Sequence, residues 1–242
     1  QSTWGATREN PFADVQVRCH GGVFDDELYR VIAEASWLRI LGSRATIDLA
    51  QCHLSNFESL GGMGRQPGPK FVFAHFILPH HPYLFDREGR ILREAQLSNQ
   101  FEFQKRLWER RDQYLDQLLY VNRRVMEAID RILTDSARPP IIILQSDHGP
   151  NLRMGLSDQE YLHVRFATLA AYHLPGAPPG LIPAGSSPIN QFRHVFNFYF
   201  DAGLEILPER HFASPYVLPF AFSEVDGLRS GQPRLLGTES LE

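Results

Sequence analysis

Cysteine is scarce: the chain has two, Cys19 and Cys52. A pair allows one disulfide and requires none, so the fold does not rest on a framework of bridges. The two are bonded to each other if the domain is extracellular, or are two unrelated buried thiols. Long apolar runs are missing. A membrane-spanning helix needs about 18 or more consecutive apolar residues, and no such run occurs. No signal peptide is visible either. Basic excess is also lacking. The formal net charge of −4 argues against nonspecific nucleic-acid binding, which needs a positive surface. There is no internal repeat, and no initiator Met precedes Gln1-Ser-Thr-Trp4, as expected of a mature form or a fragment.

What is present is the composition of a globular protein, 43% hydrophobic and 21% charged over 242 residues. That length fits one large α/β domain or two small ones and can bury a core. The 10 histidines stand out, because histidine is the commonest metal ligand and acid/base side chain.

Two aliphatic runs read as strands buried on both faces of a parallel sheet, Lys70–Leu78 and Ile141–Leu144. Between them the pattern predicts a long helix from about Phe101 to Thr134. Its apolar stripe is Leu115, Leu118, Leu119, Val125, Met126, Ile129, Ile132 and Leu133, with Arg123, Arg124 and Arg131 on a solvated face. Strand, helix, strand is a crossover unit and implies parallel strands. Earlier, Asp14–Arg18 alternates like a short strand, and helical spacing marks Leu28–Leu38 and Arg44–Leu60. Later, a polar loop reaches Glu160 and Phe166–Tyr172 reads as a third strand. Ser187 caps a final helix burying Phe192, Val195, Phe196, Tyr199 and Phe200, and residues 219–242 form a loosely packed tail.

Chemistry concentrates where the runs end. Asp147 and His148 follow the second run, with Gly149-Pro150 turning the chain away. A carboxylate and an imidazole at the carboxyl end of a strand are where open α/β sheets bind ligands, and the pair suits Zn²⁺ or Mn²⁺. The same residues also spell ordinary turn chemistry, in which Asp147 caps the next segment. His80 and His81 follow the first run, their backbone fixed by Pro79 and Pro82. If the strands are adjacent and parallel, His80, Asp147 and His148 surround one crevice. His75, inside the first run, is a further candidate or a satisfied core histidine. Arg165 is placed to hold a phosphate or sulfate, or is a surface charge; His163 is the weaker neighbour, a strand-edge residue in the alternative.

These residues together resemble the later half of the alkaline phosphatase-like superfamily. The chain is most similar to its sulfatase-like membrane branch, with the lipoteichoic acid synthases and phosphoethanolamine transferases. Ser146-Asp147-His148-Gly149 looks like the late metal motif, in which Asp and His both ligate. His80-His81-Pro82-Tyr83 looks like the His-x-Pro-Tyr element, whose first histidine faces the substrate. His75 matches a histidine at or near the metal, and Ser187–Arg193 resembles a segment of membrane proteins of this group.

The resemblance implies an α/β fold with a mainly parallel sheet flanked by helices, spanning 1–242 as the C-terminal portion of a larger domain. It implies a metal-dependent phosphate or sulfate ester hydrolase or transferase at the extracytoplasmic face of the cell membrane. The metal is Zn, Mn or Ca, held by His75, Asp147 and His148. His80 is catalytic, and His81, His163 and Arg165 bind substrate. The family's Thr or Ser nucleophile and first acidic ligand have no counterpart here, since Ser2-Thr3-Trp4-Gly5 looks like a later family segment. The chain alone is therefore expected to be inactive, with nucleophile, further ligands and a membrane anchor upstream. The alternative is a noncatalytic binding or regulatory domain of a membrane protein. A third reading, a phosphoesterase with His80 as nucleophile, would leave a phosphohistidine.

Overall fold

The structure is a computed structural model that describes residues 11–17, 42–92, 109–150, 155–215 and 218–236. The predicted helix over 28–38, Cys19 and the Ser2–Gly5 segment lie outside these residues. Residues 14–17 form no strand, and Arg18 also lies outside. The chain, expected as one domain, divides into two compact units, Gln1–Pro139 and Pro140–Glu242.

In the first unit, helix α1 spans Gly42–Gly61 and runs into a 3₁₀ turn, Gly62–Arg65. Helix α2 spans Arg111–Asp135. Thr46, Ala50, His53 and Phe57 are buried on α1 at helical spacing. Ala50 and Phe57 pack with Leu78, Leu84, Phe85, Tyr120 and Val121 into one apolar cluster. The buried face of α2 is Gln117, Tyr120, Val121 and Ala128. Leu115, Leu119, Met126 and Leu133, expected inside, are exposed. Of the expected solvated arginine face, Arg124 and Arg131 each reach Glu58 on α1 at 2.6 Å, in ion pairs that are themselves exposed.

The run Lys70–Leu78 forms no strand ladder. Only His75 is a bridge residue, and Phe71 and Phe73 are 84% and 59% exposed. Its apolar sequence is that of a buried strand, but a strand exists only where a neighbour takes its backbone groups.

In the second unit, β1 is Ile142–Gln145, α3 is Asp158–Phe166 and β2 is Ala170–His173. Helix α4 is Pro188–Phe200, and β3, β4 and β5 are His211–Ala213, Ser223–Asp226 and Arg234–Leu236. β1 pairs antiparallel with β2, from Ile142 opposite His173 to Gln145 opposite Ala170. β3, β4 and β5 form a second antiparallel sheet in chain order.

The mainly parallel sheet flanked by helices is therefore corrected. Among the described residues the sheets are two small antiparallel ones, and the first apolar run does not pair with β1. The reason lies at the end of β1. The Ser146 N–H donates to the Leu169 carbonyl at 3.0 Å, and the Leu169 N–H donates to Ser146 Oγ at 2.8 Å. The connection thus leaves and returns at the same end of the strand, so β2 must run back beside β1. A parallel partner requires a crossover to the opposite end.

Three further expectations change. The loop before Glu160 already contains the start of α3, where Ser157 Oγ accepts from the Glu160 N–H and Glu160 Oε2 accepts from the Ser157 N–H, at 3.3 and 2.8 Å. The predicted third strand over Phe166–Tyr172 shrinks to Ala170–His173. The expected loose tail contains β4 and β5, and Val225 is buried in a small core with Leu162.

Helix α4 forms with Ser187 at its N-cap, but the Ser187 hydroxyl makes no capping bond. The Glu209 carboxylate accepts the Ser187 N–H instead, at 3.1 and 3.0 Å, a negative charge where the helix dipole favours one. Burial raises the Glu209 pKa, but hydrogen bonds from Asn190 and Ser187, with His211 nearby, outweigh it and hold the carboxyl below its usual range. Of the aromatic face expected inside, Phe192, Phe196 and Phe200 are exposed and only Val195 is buried.

Candidate metal and oxyanion site

The cluster grows from the turn after β1. The Asp147 carboxylate uses Oδ1 to accept the His148 N–H at 2.9 Å, as a turn residue does. Its Oδ2 stands 3.2 Å from His148 Nε2, and the side chains are 81% and 43% exposed. Asp147 therefore fills both roles open to it in the sequence: it closes the turn and offers an outward oxygen.

Gly149 makes this turn possible, for a reason different from the one expected. It does not carry a positive φ. Its N–H donates to the Arg165 carbonyl at 2.8 Å, capping the end of α3. A Cβ at this position would lie 1.9 Å from the Val164 carbonyl oxygen. Only glycine lets the turn lie this close to the helix backbone.

That packing delivers Arg165 to the cluster. Its Nη1 lies 2.8 Å from the Gly149 carbonyl and 2.5 Å from His148 Nδ1. His148 Nδ1 is also 2.9 Å from the Gly149 carbonyl. A guanidinium only donates and a carbonyl only accepts, so Nδ1 serves one of them at a time. With Nδ1 accepting from Arg165, Nε2 carries the proton and points it at Asp147. With Nδ1–H given to Gly149, Arg165 Nη1 must move away, because two N–H donors cannot face each other at 2.5 Å; Nε2 is then bare, and its lone pair and Asp147 Oδ2 are both open to a cation. Among the described residues Arg165 Nη2 and Nε have no protein partner, so a two-pronged donor remains for an anion.

The structure thus brings together Asp147, His148 and Arg165. His163, two residues before Arg165 on α3, is exposed and makes no hydrogen bond among the described residues. Ser146 is occupied structurally, its hydroxyl accepting from Leu169.

His75, His80 and His81 belong to the first unit. His75 is half-buried, with its ring centroid 6.4 Å from that of Phe73. His80 and His81 have ring centroids 3.9 Å apart. His80 is exposed, and its Nδ1 lies 2.7 Å from the His81 carbonyl. Because a carbonyl only accepts, Nδ1 carries the proton, and in the neutral ring Nε2 is then the lone-pair nitrogen.

The backbone here contains cis bonds at Leu78–Pro79 and His81–Pro82. Beneath it lies Gln117 of α2, 0% exposed, a residue the sequence offered no reason to single out. Among the described residues no three or more His, Cys, Asp or Glu side chains converge as a metal-holding group; of the expected ligands, His75 lies in the first unit and Asp147 and His148 in the second. Cys52 on α1 is disulfide-bonded. No described helix is long and apolar enough to cross a membrane.

Comparison with family models, with curated proteins and with solved structures gives no match.

Proposed function

We propose that Asp147, His148 and Arg165 form half of a divalent-cation and oxyanion site in a protein that hydrolyses or transfers a phosphate or sulfate ester. One observation carries the reading: Asp147 Oδ2 and His148 Nε2 face each other at 3.2 Å on an exposed turn. Zinc–oxygen and zinc–nitrogen bonds of about 2.0–2.1 Å at a tetrahedral angle put two ligands roughly 3.3 Å apart. The pair has the span of one edge of such a site. One carboxylate with one imidazole suits Zn²⁺ or Mn²⁺ better than Ca²⁺, which prefers oxygen ligands alone.

When bound, a cation there supplies Lewis-acid stabilisation of a transferring group. The chain's own residues have distinct tasks. Asp147 and His148 hold, and Arg165 orients two ester oxygens with its unpartnered nitrogens; His80, in the first unit, is by the motif resemblance the group that takes or returns a proton through Nε2. The motif resemblance supports the same ester class. The Cys52 disulfide supports an extracytoplasmic setting, because disulfides persist in oxidising compartments.

The second reading, a noncatalytic binding domain, is favoured by one finding. The serine beside the pair, Ser146, is tied to Leu169 through its hydroxyl.

Nitrophenyl phosphate and nitrophenyl sulfate turnover separates the two. Residues 1–242 alone should show negligible metal-dependent turnover. A longer form carrying the nucleophile that the resemblance implies should turn over an ester and lose at least tenfold in Asp147→Ala. Equal turnover by that form and its variant sinks the enzyme reading.

A further inference from the structure

We infer that Gln117 is a positioning residue for His80, and that its buried carboxamide fixes the tautomer in which His80 Nε2 is presented as a lone-pair donor. The inference deepens the proposed function, in which His80 handles a proton.

The carboxamide uses both of its ends. Its Oε1 accepts the Leu84 N–H at 2.6 Å and the Phe85 N–H at 3.3 Å. Its Nε2 donates to the Pro79 and His80 carbonyls, each at 3.1 Å, and lies 3.5 Å from the Pro82 carbonyl. Five backbone groups of the segment from Pro79 to Phe85 thus converge on one fully buried side chain. Such a side chain is costly to bury unless satisfied, so its bonds determine the backbone around it rather than follow from it.

The segment has little backbone pairing of its own among the described residues. The run before it pairs only at His75, the His80 N–H donates to the Ile77 carbonyl at 2.9 Å, and only the far end is tied, where Leu84 accepts from the Leu92 N–H at 2.8 Å beside the Phe85–Ile91 bridge. With Pro79, His80 and Pro82 held by Gln117, the intervening His81 carbonyl is aimed at His80 Nδ1, 2.7 Å away. That contact requires a proton on Nδ1. Histidine free in water prefers the proton on Nε2, so the protein holds the less common form here. The outcome is chemical: in the neutral ring of the exposed His80, Nε2 is left without a proton and without a protein partner among the described residues, able to accept a proton or bind a Lewis acid.

The test needs neither metal nor ester, so it stands or falls apart from the proposed activity. Long-range ¹⁵N–¹H correlation spectra of the whole chain at mildly alkaline pH report each histidine tautomer. The wild-type His80 should show an unprotonated Nε2. Gln117→Glu keeps size and acceptor but puts a carboxylate against three carbonyls; in it the His80 Nε2 resonance should move to the protonated region. His81→Ala keeps the residue-81 carbonyl and should leave the tautomer unchanged. Val121→Ala, in the same core, should lower the melting temperature and also leave it unchanged.

A protonated Nε2 in the wild type overturns the inference. So does an unshifted tautomer in folded Gln117→Glu, or an equal shift in Val121→Ala. Should Gln117→Glu not fold, the wild type still decides. Its Gln117 side-chain amide protons must be protected from solvent exchange, and exchange at the rate of a free amide contradicts the inference.

Discussion

Gly149 and His53 show how single residues set both shape and pH response. Gly149→Ala places a methyl 1.9 Å from a backbone oxygen that no side-chain movement can relieve. The turn must shift, at a cost of about 1–3 kcal/mol by analogy with overpacked cores. A melting temperature lowered by several degrees, with weakened metal binding, is the expected outcome; an unchanged melting curve contradicts the packing. His53 is 3% exposed and its Nδ1 has no partner among the described residues. Burial lowers its pKa from 6.5 to about 4. As pH falls from about 6.5, the unfolded chain takes up this proton before the folded chain does. Stability at this residue is therefore full above about 6.5, falls between 6.5 and 4, and levels below, by on the order of 3 kcal/mol in all. Urea titrations at pH 7 and pH 4.5 should show a smaller loss for His53→Leu than for wild type. Equal losses would mean that His53 is protonated in the folded state or not buried.

Helix α4 owes its place to polar pins rather than to the aromatic face its sequence displays. Asn190 pairs both ends of its amide with Leu207, accepting at 3.0 Å and donating at 2.8 Å, and Asn197 does the same with Leu204 at 2.6 and 2.8 Å. Arg193 donates to the Glu205 carbonyl between them at 2.8 Å. Positions 190, 193 and 197 share one face, so the segment after the helix is bound along it. The polar residues of the Ser187–Arg193 motif thus do structural work. Asn190→Ala should orphan part-buried groups at roughly 1 kcal/mol each and speed exchange of the Leu207 amide, while Ile189→Ala on the exposed side should do little. Unchanged Leu207 exchange in Asn190→Ala would contradict the pin. Helices were the legible elements, because 3.6-residue spacing is local: α1 was expected at Arg44–Leu60 and spans Gly42–Gly61. The start of α3 was also written, in the Ser157-x-x-Glu160 capping box. Strand pairing was not, because it depends on where a connection returns, and nothing near Ile142 encodes the Ser146–Leu169 closure. Gln117 was illegible for a similar reason. One glutamine on a charged helix looks solvated until the segment it holds, some thirty residues earlier, is in place.

At the scale of the whole molecule, the expected parallel sheet came from treating two apolar runs as neighbours. One run instead lies without a ladder in the first unit, and the other pairs antiparallel in the second. The proposed site is local to one turn and one short helix. Asp147, His148 and Arg165 meet through Gly149, whatever the sheet order. The His80 turn is likewise local to its own unit, resting on Gln117. A pair of ligands makes a weak site, because catalytic zinc takes three protein ligands and structural zinc four. The most direct measurement is calorimetric titration of Zn²⁺ into the chain and into Asp147→Ala and His148→Ala. Weak binding that disappears in both variants is the predicted result; no binding at all, or binding that both substitutions leave unchanged, would reduce Asp147 to a turn residue and contradict the proposed site.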